Sequence, residues 1–273
     1  MPPNDFLGKK SLVSGQQLHP TRDLKFCVFC GEKPSFKTAE HIIPRWLVEI
    51  TGDPKRDGRF GPYWNPVTDK FEYLRIPFDQ FKFPSCEKCN HHYSNLEVKS
   101  KSVIELLLQE RKLAQADLSH LLSWLDKIRV GLWLAIFYLH RKRSDIEPHM
   151  FIDSRIDLPD RMVLIYKSNR RAQRLNFTGI DTPAFQYNPI CFALLINNFV
   201  LMNLSTDFLF SKRIGLPYPE KSFWGDWPQI KFSMVRGSQR VRLPLIRWGF
   251  NTRCTQIYQP MFTRPGRDSS IYS

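Results

Sequence analysis

Three short stretches decide the fold of the N-terminal part of the chain: Cys27-Val28-Phe29-Cys30, Glu40-His41-Ile42-Ile43-Pro44 and Cys86-Glu87-Lys88-Cys89-Asn90. In each cysteine pair the thiols stand two residues apart within one tight turn, so both sulfurs can be aimed at a single ion. Gly31 follows the first pair, at a point of the turn that favours a residue tolerant of positive φ. Two such pairs supply the four soft ligands of a closed tetrahedral zinc site, formed by Cys27, Cys30, Cys86 and Cys89.

The cysteine pattern argues against a disulfide framework. The chain has six cysteines, and the two outside the pairs, Cys191 and Cys254, are isolated. Small secreted domains need disulfides, whereas this chain is long and its paired cysteines are close together. Because four thiolates leave zinc no open position, the zinc is expected to be structural, and a catalytic metal must bind elsewhere.

The order of these three stretches resembles that of the zinc-containing HNH endonucleases. The resemblance covers residues 26–97 and implies a ββα-metal core. In that core a hairpin presents an acidic residue and a histidine, and a helix after the last cysteine presents an asparagine or a histidine. The stretches Glu40-His41 and Cys89-Asn90 match these positions.

The resemblance implies a role for each matching residue. Glu40 and Asn90 are the expected ligands of a divalent ion, with His91 and His92 as reserve ligands, and His41 is the expected general base. Elementary chemistry agrees, because a neutral imidazole can take a proton from water near neutral pH. Carboxylate and amide oxygens suit Mg²⁺ or Mn²⁺, either of which stabilises charge on a phosphate. Glu97 is interpreted first as a salt-bridge or bracing residue.

The chain departs from the family pattern at three points. The middle residue of the motif is usually an asparagine, but the stretch 78–83 contains none, which leaves Gln80 and the distant Asn65 as candidates. Glu40 stands where aspartate is commoner. The separation between His41 and Asn90 is long, so residues 50–80 are interpreted as an insertion that could touch the substrate.

The charge balance favours a polyanionic partner. The chain of 273 residues has a formal net charge of +14 and a pI near 9.6. Such a field attracts nucleic acid first and an anionic membrane surface second. The alternative interpretation of the basic clusters in the chain is that they form a solvated surface with no bound partner. The residues that could follow phosphates are Arg45, Lys88, Arg141, Lys142, Arg143, Arg240 and Arg242.

The remaining sequence predicts helices followed by strands. Apolar residues recur at helical intervals from 95 to 143, and Asp117 is a candidate N-cap for the second helix. Apolar runs on both sides of Asn197-Asn198 predict a hairpin, whereas Gly52–Pro66 is predicted to be an irregular loop that precedes a hairpin arm at 67–76. Aromatic segments at 223–227 and 241–248 suggest further strands. The predicted division is an N-terminal arm (1–25), a nuclease module (26–97), a helical segment (98–147) and an α+β domain of unknown role (148–273).

These observations lead to an α+β fold and to three functional hypotheses. The leading hypothesis is a metal-dependent endonuclease acting on nucleic acid, with DNA as the expected substrate, in a setting such as phage defence or restriction. The alternatives are a catalytically silent, zinc-stabilised nucleic-acid-binding protein and a structural adaptor. The N-terminus lacks the plan of a signal peptide, and the apolar run Val130–Leu139 is too short to span a bilayer. We therefore expect a cytoplasmic protein with no membrane partner, in which the C-terminal half could recruit another protein.

Overall fold

Helices occupy the middle of the chain, and antiparallel strands lie on both sides of them in sequence, which confirms the predicted α+β class. The computed structural model describes residues 26–34, 37–65, 68–139, 148–156, 161–167, 174–180, 185, 187–205, 231–235 and 254–259. The helices are α1 (Arg45–Ile50), α2 (Glu87–Leu108) and α3 (Gln115–Leu139), with one 3-10 turn at Phe78–Gln80. The strands are β1 (Lys37–His41), β2 (Asp57–Asn65), β3 (Lys70–Pro77), β4 (Lys82–Cys86), β5 (Arg161–Lys167), β6 (Leu175–Thr178), β7 (Cys191–Ile196), β8 (Phe199–Ser205), β9 (Lys231–Val235) and β10 (Cys254–Gln259).

A two-stranded antiparallel sheet of β1 and β4 leads directly into α2. Lys37 pairs with Cys86 at one end of this sheet and His41 with Lys82 at the other. Cys86 is also the N-cap of α2, where its sulfur accepts from the Cys89 N–H at 3.4 Å. The cap ties the end of β4 to the first helical turn, because an unpaired amide of the helix start is satisfied by the side chain before it.

The segment between β1 and β4 forms a second hairpin, made of β2 and β3. The prediction of an irregular loop at Gly52–Pro66 was therefore wrong, since β2 begins at Asp57. Cross-strand pairing with β3 overrides the local Gly and Pro content, and a register shift between Phe60 and Tyr63 accommodates the Gly-Pro dipeptide between them. Strand β3 overlaps the predicted hairpin arm at 67–76 and extends one residue beyond it, to Pro77.

Helix α3 is buried over its middle turns, as its continuous apolar sequence predicts. Residues 121–135 are all buried. The helix begins at Gln115, so Asp117 lies in its first turn and not at the N-cap. Its Oδ2 atom accepts from the Ala114 N–H at 2.8 Å, which is the reciprocal half of a capping box. The prediction of a capping aspartate was wrong in position, although the carboxylate still satisfies an amide at the helix start.

The C-terminal strands form one antiparallel sheet in the order β6-β7-β8-β5-β10-β9. The predicted hairpin at Asn197 is confirmed as β7 and β8, with Asn197 at φ 52° in the turn. Strand β5 pairs with β8 and includes the predicted run at 162–166. The aromatic segments at 223–227 and 241–248 lie outside the described residues.

None of the described helices is both long enough and apolar enough to cross a membrane. Helix α3 has the length, but Asp126, Lys127 and Arg129 are buried within it. These three charges therefore need partners inside the protein.

Candidate functional site

The four paired cysteines meet at one point, as their spacing predicts. Their sulfur atoms all lie within 4.8 Å of one another, and the sulfurs of Cys30 and Cys86 are 4.0 Å apart. Tetrahedral zinc with Zn–S bonds of about 2.3 Å places its sulfurs roughly 3.8 Å apart, so this cluster fits a structural zinc ion. The Cys86 N–H donates to the sulfur of Cys27 at 3.3 Å, which orients that ligand.

The cysteine thiols of the cluster differ in the direction in which their pKa values are shifted. Burial raises the pKa of Cys27 to about 11. Burial also raises the pKa of Cys89, as do the Cys86 sulfur and the charge of Asp153, whose Oδ2 lies 3.9 Å from the Cys89 sulfur. The pKa of Cys86 is lowered although burial opposes the shift, because the Cys89 amide and neighbouring sulfurs bond to it. Zinc binding must therefore displace protons, above all from Cys27 and Cys89.

Residues 151–153, which follow α3 in the sequence, cover the first cysteine turn. The amides of Ile152 and Asp153 donate to the carbonyls of Val28 and Phe29, at 3.1 and 3.0 Å. Gly31 has φ +81° and lies against the ring of Phe151. A Cβ atom there would stand 2.5 Å from that ring, so the position requires glycine for space as well as for its positive φ.

His41 ends β1 and is half-buried. Burial lowers its pKa from the ordinary value, and the positive charges of Lys82, Arg45 and Lys127 lower it further. The main chain of Asp79 acts in the opposite direction and raises the pKa of the imidazole.

Glu40 points into the protein and pairs with a buried lysine. Its side chain is 12% exposed, and its Oε1 atom accepts from Nζ of Lys127 at 2.5 Å. The same ammonium donates to Oε1 of Glu97, which confirms the salt-bridge interpretation of that residue. The other Glu97 oxygen accepts from Nε1 of Trp46 at 3.1 Å. We call Glu40, Glu97, Lys127 and Trp46 the Lys127 cluster.

The charges in the Lys127 cluster do not cancel. Two carboxylates share one ammonium, so the ionised cluster holds one negative charge in excess. Burial raises the pKa of Glu40, Lys127 opposes that shift, and the charge of Glu97 adds to it. Burial also disfavours the Lys127 ammonium, but Glu97 and Glu40 outweigh it and raise the pKa of Lys127 above its ordinary value. The lysine therefore stays charged.

Asn90 lies in the first turn of α2 at the edge of an open groove. The groove has a volume of about 700 Å³. His91 and His92, the reserve ligands, are exposed on the same turn, and Lys88 is exposed beside them. In the described part of the chain only the four cysteines form a group of three or more convergent His, Cys, Asp or Glu ligands. The groove is lined by Thr38, Glu87, Lys88, Asn90, His91 and Ser94.

The candidates for the middle residue of the motif lie apart from each other. Asn65 ends β2 and pairs with Lys70 in the second hairpin. Gln80 ends the 3-10 turn next to Asp79, whose main chain raises the pKa of His41. The two candidates therefore belong to different elements, the second hairpin and the 3-10 turn.

The basic residues proposed for phosphate contact are described only in part. Arg45 is exposed and forms an ion pair with Glu49 at 2.8 Å. Arg141, Lys142, Arg143, Arg240 and Arg242 lie outside the described residues.

A second buried ionic cluster joins α3 to β5. Asp126 accepts from Arg129 at 2.9 Å and from Arg161 at 3.0 Å, and all three side chains are buried. Burial lowers the pKa of Arg129 to about 10. Sequence reasoning missed this cluster and Lys127, although the run Asp126-Lys127-Ile128-Arg129 inside an apolar helix was a signal that charged groups are buried there.

Comparison of the chain with models of protein families, with curated proteins and with solved structures returned no match.

Proposed function

We propose that this chain is a metal-dependent endonuclease of the HNH type, which hydrolyses phosphodiester bonds in nucleic acid, with DNA as the expected substrate. One observation carries the proposal: His41 ends β1 in a two-stranded sheet that the four-cysteine cluster clamps to α2. Strands β1 and β4 followed by α2 agree with the ββα-metal core that the sequence resemblance implies.

His41 is the proposed general base. A neutral imidazole has one ring nitrogen without a proton, and that nitrogen is the acceptor that a general base needs. The lowered pKa keeps the ring neutral near pH 7, the state in which it can take a proton from the attacking water. The positive charges of Lys82 and Arg45 that depress this pKa also favour the approach of a phosphate.

Glu40 and Asn90 are the proposed ligands of the catalytic ion. The Glu40 carboxylate and the amide of Asn90 beside the groove carry oxygen donors of the kind that Mg²⁺ or Mn²⁺ prefers. The Glu40 carboxylate also belongs to the Lys127 cluster, which holds one negative charge in excess. When bound, such an ion supplies charge stabilisation for the scissile phosphate and the leaving oxygen. His91 and His92 are the alternative ligands on the same helical turn.

The net charge of +14 supports nucleic acid as the partner, with contacts to phosphates instead of to bases. Lys88 and Arg45 are the described candidates for such contacts, and both are exposed. A role in phage defence or restriction, and recruitment of a protein partner by the C-terminal half, belong to the same proposal.

A catalytically silent nucleic-acid-binding protein is the second candidate, and one observation favours it. Oε1 of Glu40 is engaged by Lys127, so one of the two oxygens proposed for a metal already has a partner. In that case the chain would bind nucleic acid with strong dependence on salt and would not cut it.

The test is a cleavage assay with purified full-length chain. Supercoiled plasmid, single-stranded DNA and RNA are incubated with Mg²⁺, Mn²⁺ or a chelator, using the wild type, His41→Ala and His120→Ala. His120 is a matched control because it is also a half-buried histidine, but it lies on α3 and has no proposed role in the site. We expect divalent-dependent cleavage that His41→Ala abolishes and His120→Ala retains. Equal cleavage by wild type and His41→Ala refutes the base, and salt-sensitive binding without cleavage selects the silent alternative.

A further inference from the structure

We infer that Lys127 and Glu97 are positioning residues, which hold Glu40 so that one of its two oxygens is presented to a divalent ion. The inference rests on the proposed function, because it concerns the ion assigned there to Glu40 and Asn90. Neither Lys127 nor Glu97 is itself proposed to touch the substrate.

The first support is the geometry around Glu40. In the described part of the chain its side chain hydrogen-bonds through Oε1, which lies 2.5 Å from Nζ of Lys127. Lys127 has a fully buried side chain on α3, and its ammonium also lies 5.9 Å from the centre of the Phe29 ring, next to the cysteine turn. A carboxylate held at one oxygen by a buried partner has a fixed orientation, so Oε2 is the oxygen left for a ligand.

The second support is the count of charges. Glu40 alone would neutralise Lys127, yet Glu97 brings a second carboxylate to the same ammonium. A second carboxylate beside one ammonium leaves a net negative charge that burial disfavours, so a purely structural ion pair gains little from it. A divalent cation beside Glu40 would offset the excess negative charge, and Glu97 would then raise the affinity of the site without being a ligand.

The third support is the position of Glu97 on α2. Glu97 lies seven residues after Asn90, which is close to two helical turns, so both residues lie on the same face of the helix. Glu40 contacts that face through the shared lysine. Trp46 donates to the outer oxygen of Glu97 and so fixes its orientation as well. Glu97 and the proposed amide ligand therefore lie on one face of α2, about 10 Å apart along its axis, and Glu40 approaches that face from β1.

The experiment measures Mn²⁺ binding directly by electron paramagnetic resonance, together with Mn²⁺-dependent cleavage, in full-length protein loaded with zinc. Glu97→Gln keeps the shape of the side chain and removes the excess charge. Its matched control is Glu105→Gln, on the same helix but exposed and paired with Lys101 at 3.9 Å. We expect Glu97→Gln to raise the Mn²⁺ concentration for half-saturation by about 10- to 100-fold, as loss of an outer partner does at metal sites, and Glu105→Gln to leave it unchanged.

A second variant separates positioning from simple loss of structure. Lys127→Met, with exposed Lys101→Met as its control, frees the place between Glu40 and Glu97 for the ion itself. We expect Mn²⁺ still to bind while the cleavage rate at saturating Mn²⁺ falls by about 10- to 100-fold. Zinc content and the circular dichroism spectrum report on folding, and if Lys127→Met does not fold, Glu97→Gln decides the question alone.

The outcomes distinguish this inference from the proposed function. Unchanged Mn²⁺ binding by Glu97→Gln overturns the inference, even if the wild type cuts and His41→Ala does not. Weakened Mn²⁺ binding by Glu97→Gln, in a protein that never cuts, supports the positioning role and refutes the nuclease. A wild type that binds no Mn²⁺ refutes both.

Discussion

Gly131 of α3 lies directly against Ile42, the residue that follows His41. A Cβ atom added to Gly131 would stand 2.7 Å from Cδ1 and 2.8 Å from Cγ2 of Ile42. Both residues belong to the buried core. A glycine in the interior of a helix is unfavourable by itself, so its presence in the apolar run Val130–Leu139 is explained by this close approach. The glycine sets the distance between α3 and the strand end that carries His41.

We therefore predict that Gly131→Ala destabilises the protein. Replacing glycine by alanine inside a helix gains about 1 kcal/mol, whereas overpacking a buried contact costs roughly 1–3 kcal/mol. The contact involves a branched side chain close to its own backbone, so overpacking should win. Urea unfolding measures the net loss in the free energy of unfolding.

The control for this prediction is a double-mutant cycle with Ile42→Val, which removes Cδ1. Gly131→Ala should cost less in the Ile42→Val background than in the wild type, since the two residues are in direct contact. Additive costs would show that the two side chains are not coupled, and the close approach would then not explain the glycine.

We predict one zinc ion per chain, held by the four-cysteine cluster. Cys27→Ser should abolish stoichiometric zinc, measured by elemental analysis, and lower the thermal unfolding temperature, because the metal closes the turn onto α2. Cys191→Ala is the matched control, since Cys191 is also buried but lies in β7, away from the cluster. Full zinc content in Cys27→Ser would contradict the assignment.

The lowered pKa of His41 predicts the acid limb of the pH profile. In the proposed mechanism the neutral ring is the active form, so kcat/KM should fall as the pH drops through a midpoint below 6.5, the ordinary histidine value. Burial is the main cause of the lowered pKa, and Lys82 is the next. Lys82→Gln should therefore move the midpoint upward, towards 6.5, whereas Lys101→Gln should not.

An NMR titration of the His41 ring checks the same pKa without any cleavage. A midpoint above 6.5 in the wild type would contradict the electrostatics described for this residue. A shift in kcat/KM that the NMR titration does not follow would assign the acid limb to another group.

The Asp126 cluster predicts a large loss of stability from a small change. Asp126→Asn leaves Arg129 and Arg161 buried without their shared carboxylate, and breaking a buried ion pair in this way costs about 3–5 kcal/mol. Glu110→Gln is the control, because Glu110 pairs with Lys167 at the surface, where a pair contributes about 0–1 kcal/mol. Similar losses in urea unfolding for both variants would count against a tightly buried cluster.

The sequence predicted the parts of the fold that local patterns determine. Cysteine pairs at metal-ligand spacing converge as predicted, and Asn197 forms the predicted turn. In both cases the residue types within a few positions restrict the local geometry. The salt-bridge interpretation of Glu97 is also confirmed, although its partner Lys127 lies 30 positions away and was not predicted.

What the sequence did not predict depends on distant partners. Lys127 stands 87 positions after Glu40, and the local sequence around either residue does not indicate its partner. Strand β2 forms only because β3 pairs with it, against the local Gly and Pro content. The covering of the cysteine turn by residues 152 and 153 is another contact between remote segments. The apolar residues around the charged run of α3 indicated that these charges are buried. They did not indicate which residues would pair with them.

The long separation between Glu40 and Lys127 has a consequence for the order in which the protein is made. On the ribosome, β1 emerges long before α3, so the nascent chain carries Glu40 without its counter-ion until the middle of α3 has been translated. The first cysteine turn also lacks the cover of its carbonyls until Ile152 and Asp153 have been added. The region around β1 can therefore reach its final packing only after more than half of the polypeptide has been made.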